Sequence, residues 1–467
     1  MTNKKLNPIT VDIDMLKRYD KPGPRYTSYP TAPQFTTDFG SDAFQQEIEQ
    51  TNREEETADL SLYFHLPFCD TLCYFCGCTM LITRNRDRIE EYLDYLIKEI
   101  ELVGGMIKPG RKVAQLHWGG GTPTYLEPEQ TRRLFSAIRE HFDFHENAEI
   151  GVEIDPRGMT DQHLDALRDV GFNRASMGVQ DFDPRVQEAV NRLQPEDLTR
   201  RIYDGLRDRG FESINLDLIY GLPFQNLDSF NRTLDRIIDI SPDRLAVFNY
   251  AHVPWMKKHQ TIIKEETLPT ASAKLRILKS TIETLTSSDY IYIGMDHFAK
   301  PDDSLTRAFY EKKLYRNFQG YSTKSGCDLY ALGMSSISQL QNVYAQSVKE
   351  LPAYYAAIDA GHIPTERGYR LNEDDHIRRH VITRLMCDFE LDKVDVEKKF
   401  GIDFDDYFDD AIQNLEPLIL DGLVECPNGS INVTEMGRLL IRNIAMVFDR
   451  YLQTSKADTK QMFSKTI

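Results

Sequence analysis

Four cysteines, Cys69, Cys73, Cys76 and Cys78, fall within the stretch CDTLCYFCGC (69–78) of a 467-residue chain that has seven cysteines in all. Thiolates this close suggest a metal or redox site rather than a disulfide framework when the compartment is reducing. Structural zinc draws paired ligands from two separated knuckles, and no second knuckle is present. The spacing Cys69-x₃-Cys73-x₂-Cys76 instead suits one corner of a [4Fe–4S] cubane, with three thiolates on three irons and the fourth iron open to a ligand that is not protein. The other cysteines, Cys327, Cys387 and Cys426, are scattered and read as inert.

These residues need a scaffold, and the chain supplies one by repetition. Six short apolar runs, SLYFHLP (61–67), AQLHWGGG (114–121), EIGVEIDP (149–156), RASMGVQ (174–180), INLDLIYG (214–221) and RLAVFNY (244–250), alternate with amphipathic stretches. Ile89, Leu93, Leu96, Ile97 and Ile100 share one helical face, and Thr160 caps a helix that ends at Gly171. Alternating β and α units predict a parallel sheet flanked by helices, here a partial (β/α)₆ TIM-like barrel, with a doubly wound open sheet as the alternative. Side chains at the C-terminal ends of such strands converge on one mouth. The cysteines, GGGTPT (119–124), Glu153, Asp155, Gln180, Asp217 and Asn249 to Ala251 all fall there. A glycine run lets backbone amides approach a ligand, although alone it is usually a tight turn. Glu153 suits ribose hydroxyls, as acidic residues do in dinucleotide folds, or else a surface carboxylate.

Residues 55–300 are expected to form the barrel, after an N-terminal arm (1–54) that contains the Pro- and Tyr-rich PGPRYTSYPTAPQF (22–35). Residues 301–369 read as a barrel extension and connection. Residues 370–467 read as a mostly helical, winged-helix-like domain, with a hairpin signal at Asn428-Gly429, packed over the barrel mouth. With 56 basic against 73 acidic residues, net −17, the chain repels nucleic acid and anionic membranes. MTNKKLNPIT holds no apolar leader and no run is long enough to span a bilayer, so a cytoplasmic protein is expected.

The cysteine spacing after the first strand of a partial barrel, with an aromatic before the third cysteine, resembles the radical S-adenosylmethionine superfamily. RYTSYPTA, YFHLPFCDTLCYFCGC, HWGGGTPTYL, SMGVQDF, DLIYGLP, VFNYAHVP, IGMDHFA and RNFQGY together resemble the oxygen-independent coproporphyrinogen III oxidases (coproporphyrinogen dehydrogenases) of that superfamily, from about Arg25 to the C-terminus. The resemblance implies metal ligands Cys69, Cys73 and Cys76. It implies contacts to the cluster-bound S-adenosylmethionine from Tyr63, Gly120, Glu153 and Ile337. A second S-adenosylmethionine is implied at Phe75, Gly121, Thr122, Gln180, Arg192, Asp217 and Ala251, of which Arg192 and Asp217 would otherwise be an ordinary salt bridge. Cys78 and Tyr63 would act beside the substrate.

The implied reaction converts two propionates of coproporphyrinogen III to vinyl groups, giving protoporphyrinogen IX in anaerobic haem biosynthesis. The implied partners are a reducing protein such as a flavodoxin or ferredoxin and an electron acceptor that the residues do not identify, and the chain is expected to be a monomer. Two relatives in the superfamily compete: a haem chaperone and a haem-opening radical methyltransferase. Cys78 and RYTSYPTA favour the oxidase over the chaperone. Because the substrate carries four carboxylates, Arg25 and Arg316 are expected to face the barrel mouth and hold some of them.

Overall fold

The computed structural model describes residues 9–454 together with Phe463 and Lys465; the first eight residues of the expected arm and most of the last dozen residues lie outside the described residues. Six strands, β1 (Leu60–Leu66), β2 (Lys112–Gly120), β3 (Asp143–Ile154), β4 (Arg174–Gln180), β5 (Ser213–Tyr220) and β6 (Arg244–Asn249), pair in sequence order and all parallel. Helices α1 (Arg86–Met106), α2 (Pro128–His141), α3 (Asp161–Val170), α4 (Glu196–Asp208) and α5 (Leu227–Ile240) return the chain between them. The expected strands and the Thr160-capped α3, which ends at Gly171 with φ +108°, are all present.

One parity of each strand makes the core. Leu62, Phe64, Leu116, Trp118, Val152, Met177, Leu216 and Leu245 meet α1 to α5 through residues such as Leu93, Leu96, Leu134, Leu164 and Ile237, all essentially fully buried. The other parity is polar or small and turns inward: His117, Glu153, Ser176, Gly178, Asn215, Asp217 and Ala246. Closed TIM barrels fill this space with branched side chains. Here glycine keeps it open, since a Cβ at Gly119 would sit 2.8 Å from the Glu153 carboxylate and one at Gly178 would sit 3.0 Å from Arg192.

Past β6 the parallel β-α repetition stops but the sheet does not. Strands β7 (Ile291–Gly294) and β8 (His297–Ala299) extend it beyond β6, while β9 (Asp328–Leu332), β10 (Ile337–Gln339), β11 (Val343–Ser347) and β12 (Thr365–Arg370) extend it beyond β1, giving twelve strands. β9 runs parallel to β1, and the outermost pairings on both sides are antiparallel. These strands have three to six residues each and no helix within most of their connections, so they lack a periodic signature.

The arm carries helices Ile13–Tyr19 and Ser41–Thr51, and its Pro-rich stretch is irregular but ordered, with Tyr26, Tyr29 and Phe35 buried. The C-terminal region combines helix Glu373–Asp388, helices Lys393–Phe400 and Asp409–Leu420, and a three-stranded sheet. Its hairpin turns at Asn428 and Gly429, both at positive φ. It does not pack over the mouth as the sequence suggested. Its described residues touch the arm, through Arg442 to Pro24 and Tyr26 to Asp449, the flanking strands, through Arg438 on Tyr292, and Tyr321, whose hydroxyl donates to the Met386 carbonyl; none of these described residues of the C-terminal region lines the central cavity. Among the described residues, no helix is long and apolar enough to cross a membrane.

Candidate active site

The loop after β1 carries the cysteines, and neighbouring strands hold it by its backbone. Asn191 Nδ2 donates to the Leu72 carbonyl at 2.8 Å, the Tyr74 N–H to the Val190 carbonyl, and Gly121 and Thr122 N–H groups to Leu66 and Phe68. From beyond β6, Lys257 Nζ donates to the Cys78 carbonyl (3.0 Å), His259 Nε2 to Cys76 (2.8 Å) and Gln260 Nε2 to Phe75 (3.1 Å). These bonds pin the loop largely by its carbonyls and fix its outline. Gly121 presses against it: a Cβ there would lie 2.4 Å from the Pro67 carbonyl oxygen.

The cavity enclosed by this loop and the strands holds about 510 Å³, within the range of small-molecule sites. Of the residues expected at the site, Cys69, Cys73, Cys76, Cys78, Phe75, Gly120, Gly121, Thr122, Glu153, Gln180, Arg192 and Asp217 line it. Tyr63, Ala251 and Ile337 do not. Tyr63 lies behind, its ring stacked on His117 and its hydroxyl 3.2 Å from His65 Nδ1. Ala251 is exposed just past β6, and Ile337 packs beside Phe35 and Tyr344.

Arg25 and Arg316 also stay out of the cavity. Arg25 pairs with Asp296, and Arg316, only 6% exposed, donates to the Arg25 backbone.

Cys69, Cys73 and Cys76 are close enough that each raises the cost of ionising its neighbour at Cys69, whose thiol burial lifts to about 12 while a contact with Thr122 Oγ1 at 3.3 Å opposes the rise. Cys78 differs. The two neighbouring thiols perturb each other most: Cys78 draws Cys76 down, while Cys76 and burial hold Cys78 well above the usual thiol value. Among the described residues no three His, Cys, Asp or Glu side chains converge on a single-ion site. Three soft sulfurs spread around one wall are a donor set for a larger iron–sulfur unit rather than for one zinc ion.

Opposite the cysteines, Glu153 accepts from the Gly120 N–H at 3.2 Å and faces His117 Nε2 at 3.6 Å. Burial would raise its pKa, yet these partners hold it below the usual glutamate value. Gly120 adopts φ +116°, a conformation that suits glycine and aims its amide across the cavity. Asp217 is not bound to Arg192. It accepts from Ser176 (3.0 Å) and Asn215 (2.7 Å), and burial lifts it to about 6. Arg192 goes to Asp155 instead, at 3.0 Å, leaving its Nε without a partner. The Gln180 side-chain oxygen is likewise buried and unsatisfied, at a residue with φ +70°. Buried, unpaired polar atoms lining a cavity are groups shaped for a ligand.

Sequence reasoning missed His117, Arg157, Lys257, His259 and Gln260, which reach Glu153, Cys73 or the cysteine-loop carbonyls across separations in sequence that no local pattern marks.

The Radical SAM superfamily model matches residues 63–237, and the HemN C-terminal domain model matches residues 371–440. An oxygen-independent coproporphyrinogen III oxidase of Escherichia coli is 49% identical over 456 residues, 98% of each chain, and that of a Synechocystis species is 47% identical over 463 residues, again 98% of each. The chain belongs to the oxygen-independent coproporphyrinogen III oxidase family. The solved Escherichia coli coproporphyrinogen III oxidase (HemN), described as a radical SAM enzyme, superposes with TM-score 0.90 at 48% identity, covering 95% of this chain and all of that one. Membership brings a [4Fe–4S] cluster and S-adenosylmethionine with it, and the sulfur wall and open polar lumen suit both.

Proposed function

We propose that the chain oxidatively decarboxylates two propionate side chains of coproporphyrinogen III, giving protoporphyrinogen IX. The observation that carries the reading is the placement of Cys69, Cys73 and Cys76 on one wall of an open lumen, opposite Gly120 and Glu153. When bound, the cluster and S-adenosylmethionine would supply the one-electron chemistry needed to remove a hydrogen atom from a propionate β-carbon. Loss of CO₂ and of one electron to an acceptor then leaves the vinyl group.

The chain's own residues position and shield. Cys69, Cys73 and Cys76 would hold the cluster, and Cys78, on the same loop, would sit beside it. Glu153, ionised, receives ribose hydroxyls, and Gly120 offers its backbone beside it. Arg192, Gln180 and Asp217, with free or titratable polar atoms, receive a second S-adenosylmethionine with Phe75, Gly121 and Thr122; Tyr63, Ala251 and Ile337 support the two sites from outside the cavity lining. Glu149, Arg174 and Arg244 also line the lumen, and the Arg174–Glu149 and Arg244–Asp303 pairs share Ser304. A one-electron carrier such as a flavodoxin or ferredoxin supplies the reducing electron.

Anaerobic incubation with coproporphyrinogen III or with haem, followed by mass detection, tests the proposal. Successive losses of two CO₂ units from the porphyrinogen, with haem unchanged, are expected. Haem modification with an untouched porphyrinogen would overturn it.

A further inference from the structure

The Cys73 sulfur has two guanidinium groups on it. Arg157 Nη2 donates at 3.4 Å and Arg192 Nη1 approaches to 3.7 Å. Both arginines also grip Asp155. Arg157 Nη2 and Nε reach its carboxylate at 2.6 and 3.0 Å, Arg192 Nη1 reaches it at 3.0 Å, and the Arg157 backbone N–H adds a third donor type at 3.0 Å. Burial opposes ionisation of Asp155, but these partners outweigh it and keep the carboxylate charged.

The charges do not balance. Two guanidiniums on one carboxylate leave one positive charge over, where the side chains of Arg157, Arg192 and Asp155 are only 22%, 9% and 13% exposed. An ordinary structural ion pair accounts for one arginine. The second has another acceptor in reach: Arg192 finds the Gly178 carbonyl, whereas Arg157 has, among the described residues, only Asp155 and the Cys73 sulfur. A buried surplus cation costs free energy unless an anion faces it, and a thiolate carrying iron is such an anion.

Hydrogen bonds to the sulfurs and the net charge around an iron–sulfur cluster set its reduction potential. Reduction adds one electron, supplied here by the external carrier, and so one negative charge. A guanidinium held against a ligand sulfur at low dielectric favours the reduced form. We propose that Arg157, positioned by Asp155, sets the cluster's potential through Cys73 and raises it into the range a biological one-electron carrier can reach. This rests on the reading of Cys73 as a cluster ligand. Asp155 tempers the effect by cancelling part of the charge, so its removal must act in the opposite direction.

The test is a redox titration of the anaerobically reconstituted protein, without S-adenosylmethionine, followed by electron paramagnetic resonance of the reduced cluster. Arg157→Gln, Arg157→Lys and Asp155→Asn are compared with the parent at equal iron and sulfide content. At the potential that half-reduces the parent, Arg157→Gln shows several-fold less reduced signal, Arg157→Lys stays near the parent, and Asp155→Asn shows more. If Arg157→Gln fails to assemble a cluster, Asp155→Asn decides: an upward shift supports the proposal and an unchanged or downward one overturns it. Equal midpoints in all variants overturn it, as does an unchanged midpoint in Arg157→Gln that merely loses the spectral response to added S-adenosylmethionine. A Cys73→Ser protein that keeps a four-iron cluster would defeat the ligand assignment itself, a separate result.

Discussion

Arg316 Nε donates to the carbonyl oxygen of Arg25 at 3.1 Å, across 291 positions of sequence. The side chain of Arg25 goes to Asp296, and Arg442 reaches the neighbouring carbonyls of Gly23 and Pro24. The three arginines thus tie the arm down rather than point into the lumen. Arg316→Ala releases one of these ties. Limited proteolysis is expected to cut within residues 22–35 several-fold faster in the variant, with iron content unchanged. An unaltered cleavage rate would show that the remaining ties suffice.

Asp217 gives a pH signature. Its folded pKa is raised, from 3.8 to about 6, so folding favours the neutral acid relative to the unfolded chain. For a raised carboxylate the cost of charging is absent below the unfolded pKa and grows to its full size as pH rises through the folded one. Asp217→Asn removes that cost. Its stability advantage in the ligand-free protein should therefore grow by about 1–1.5 kcal/mol between pH 5 and pH 8. Chemical unfolding at the two pH values measures it; a constant difference would mean that Asp217 is ionised in the fold throughout.

Gly121→Ala places a Cβ 2.4 Å from the Pro67 carbonyl oxygen, an overlap with backbone that side-chain motion cannot relieve. The cysteine loop must shift, at a cost of about 1–3 kcal/mol. Reconstituted protein should carry less iron and sulfide than the parent while its far-ultraviolet circular dichroism is unchanged. Full iron loading would show that the loop tolerates displacement.

The six central strands were legible because each is a short apolar run before a turn, and the chemistry sits at their C-terminal ends in Cys69 to Cys78, Gly120, Glu153, Gln180 and Asp217. Partnerships across strands were not legible. Arg192 and Asp217 suggested a salt bridge, yet register sets Asp217 beside Gly178, and within reach of Ser176 and Asn215, while Arg192 meets Asp155. Tyr63 has the inward parity but is covered by His117, which depends on how β1 and β2 pair. The arginines of the arm were expected at the mouth on charge alone, and charge does not say that Asp296 and the backbone would claim them first. The C-terminal domain was recognisable as helices and a hairpin, but its docking surface is tertiary and leaves no local pattern.

The assignment of three ligands and one neighbour among the four cysteines is the centre of this account, and one measurement addresses it. Cys69→Ser, Cys73→Ser, Cys76→Ser and Cys78→Ser proteins are reconstituted anaerobically, reduced, and compared by electron paramagnetic resonance with and without S-adenosylmethionine. Replacing a soft thiolate ligand by a hydroxyl should abolish a stable four-iron cluster in the first three. Cys78→Ser should keep the cluster and its spectral change on adding S-adenosylmethionine, because a fourth cysteine ligand would occupy the iron position that S-adenosylmethionine needs. Loss of the cluster in Cys78→Ser, with retention in any one of the other three, would contradict the assignment.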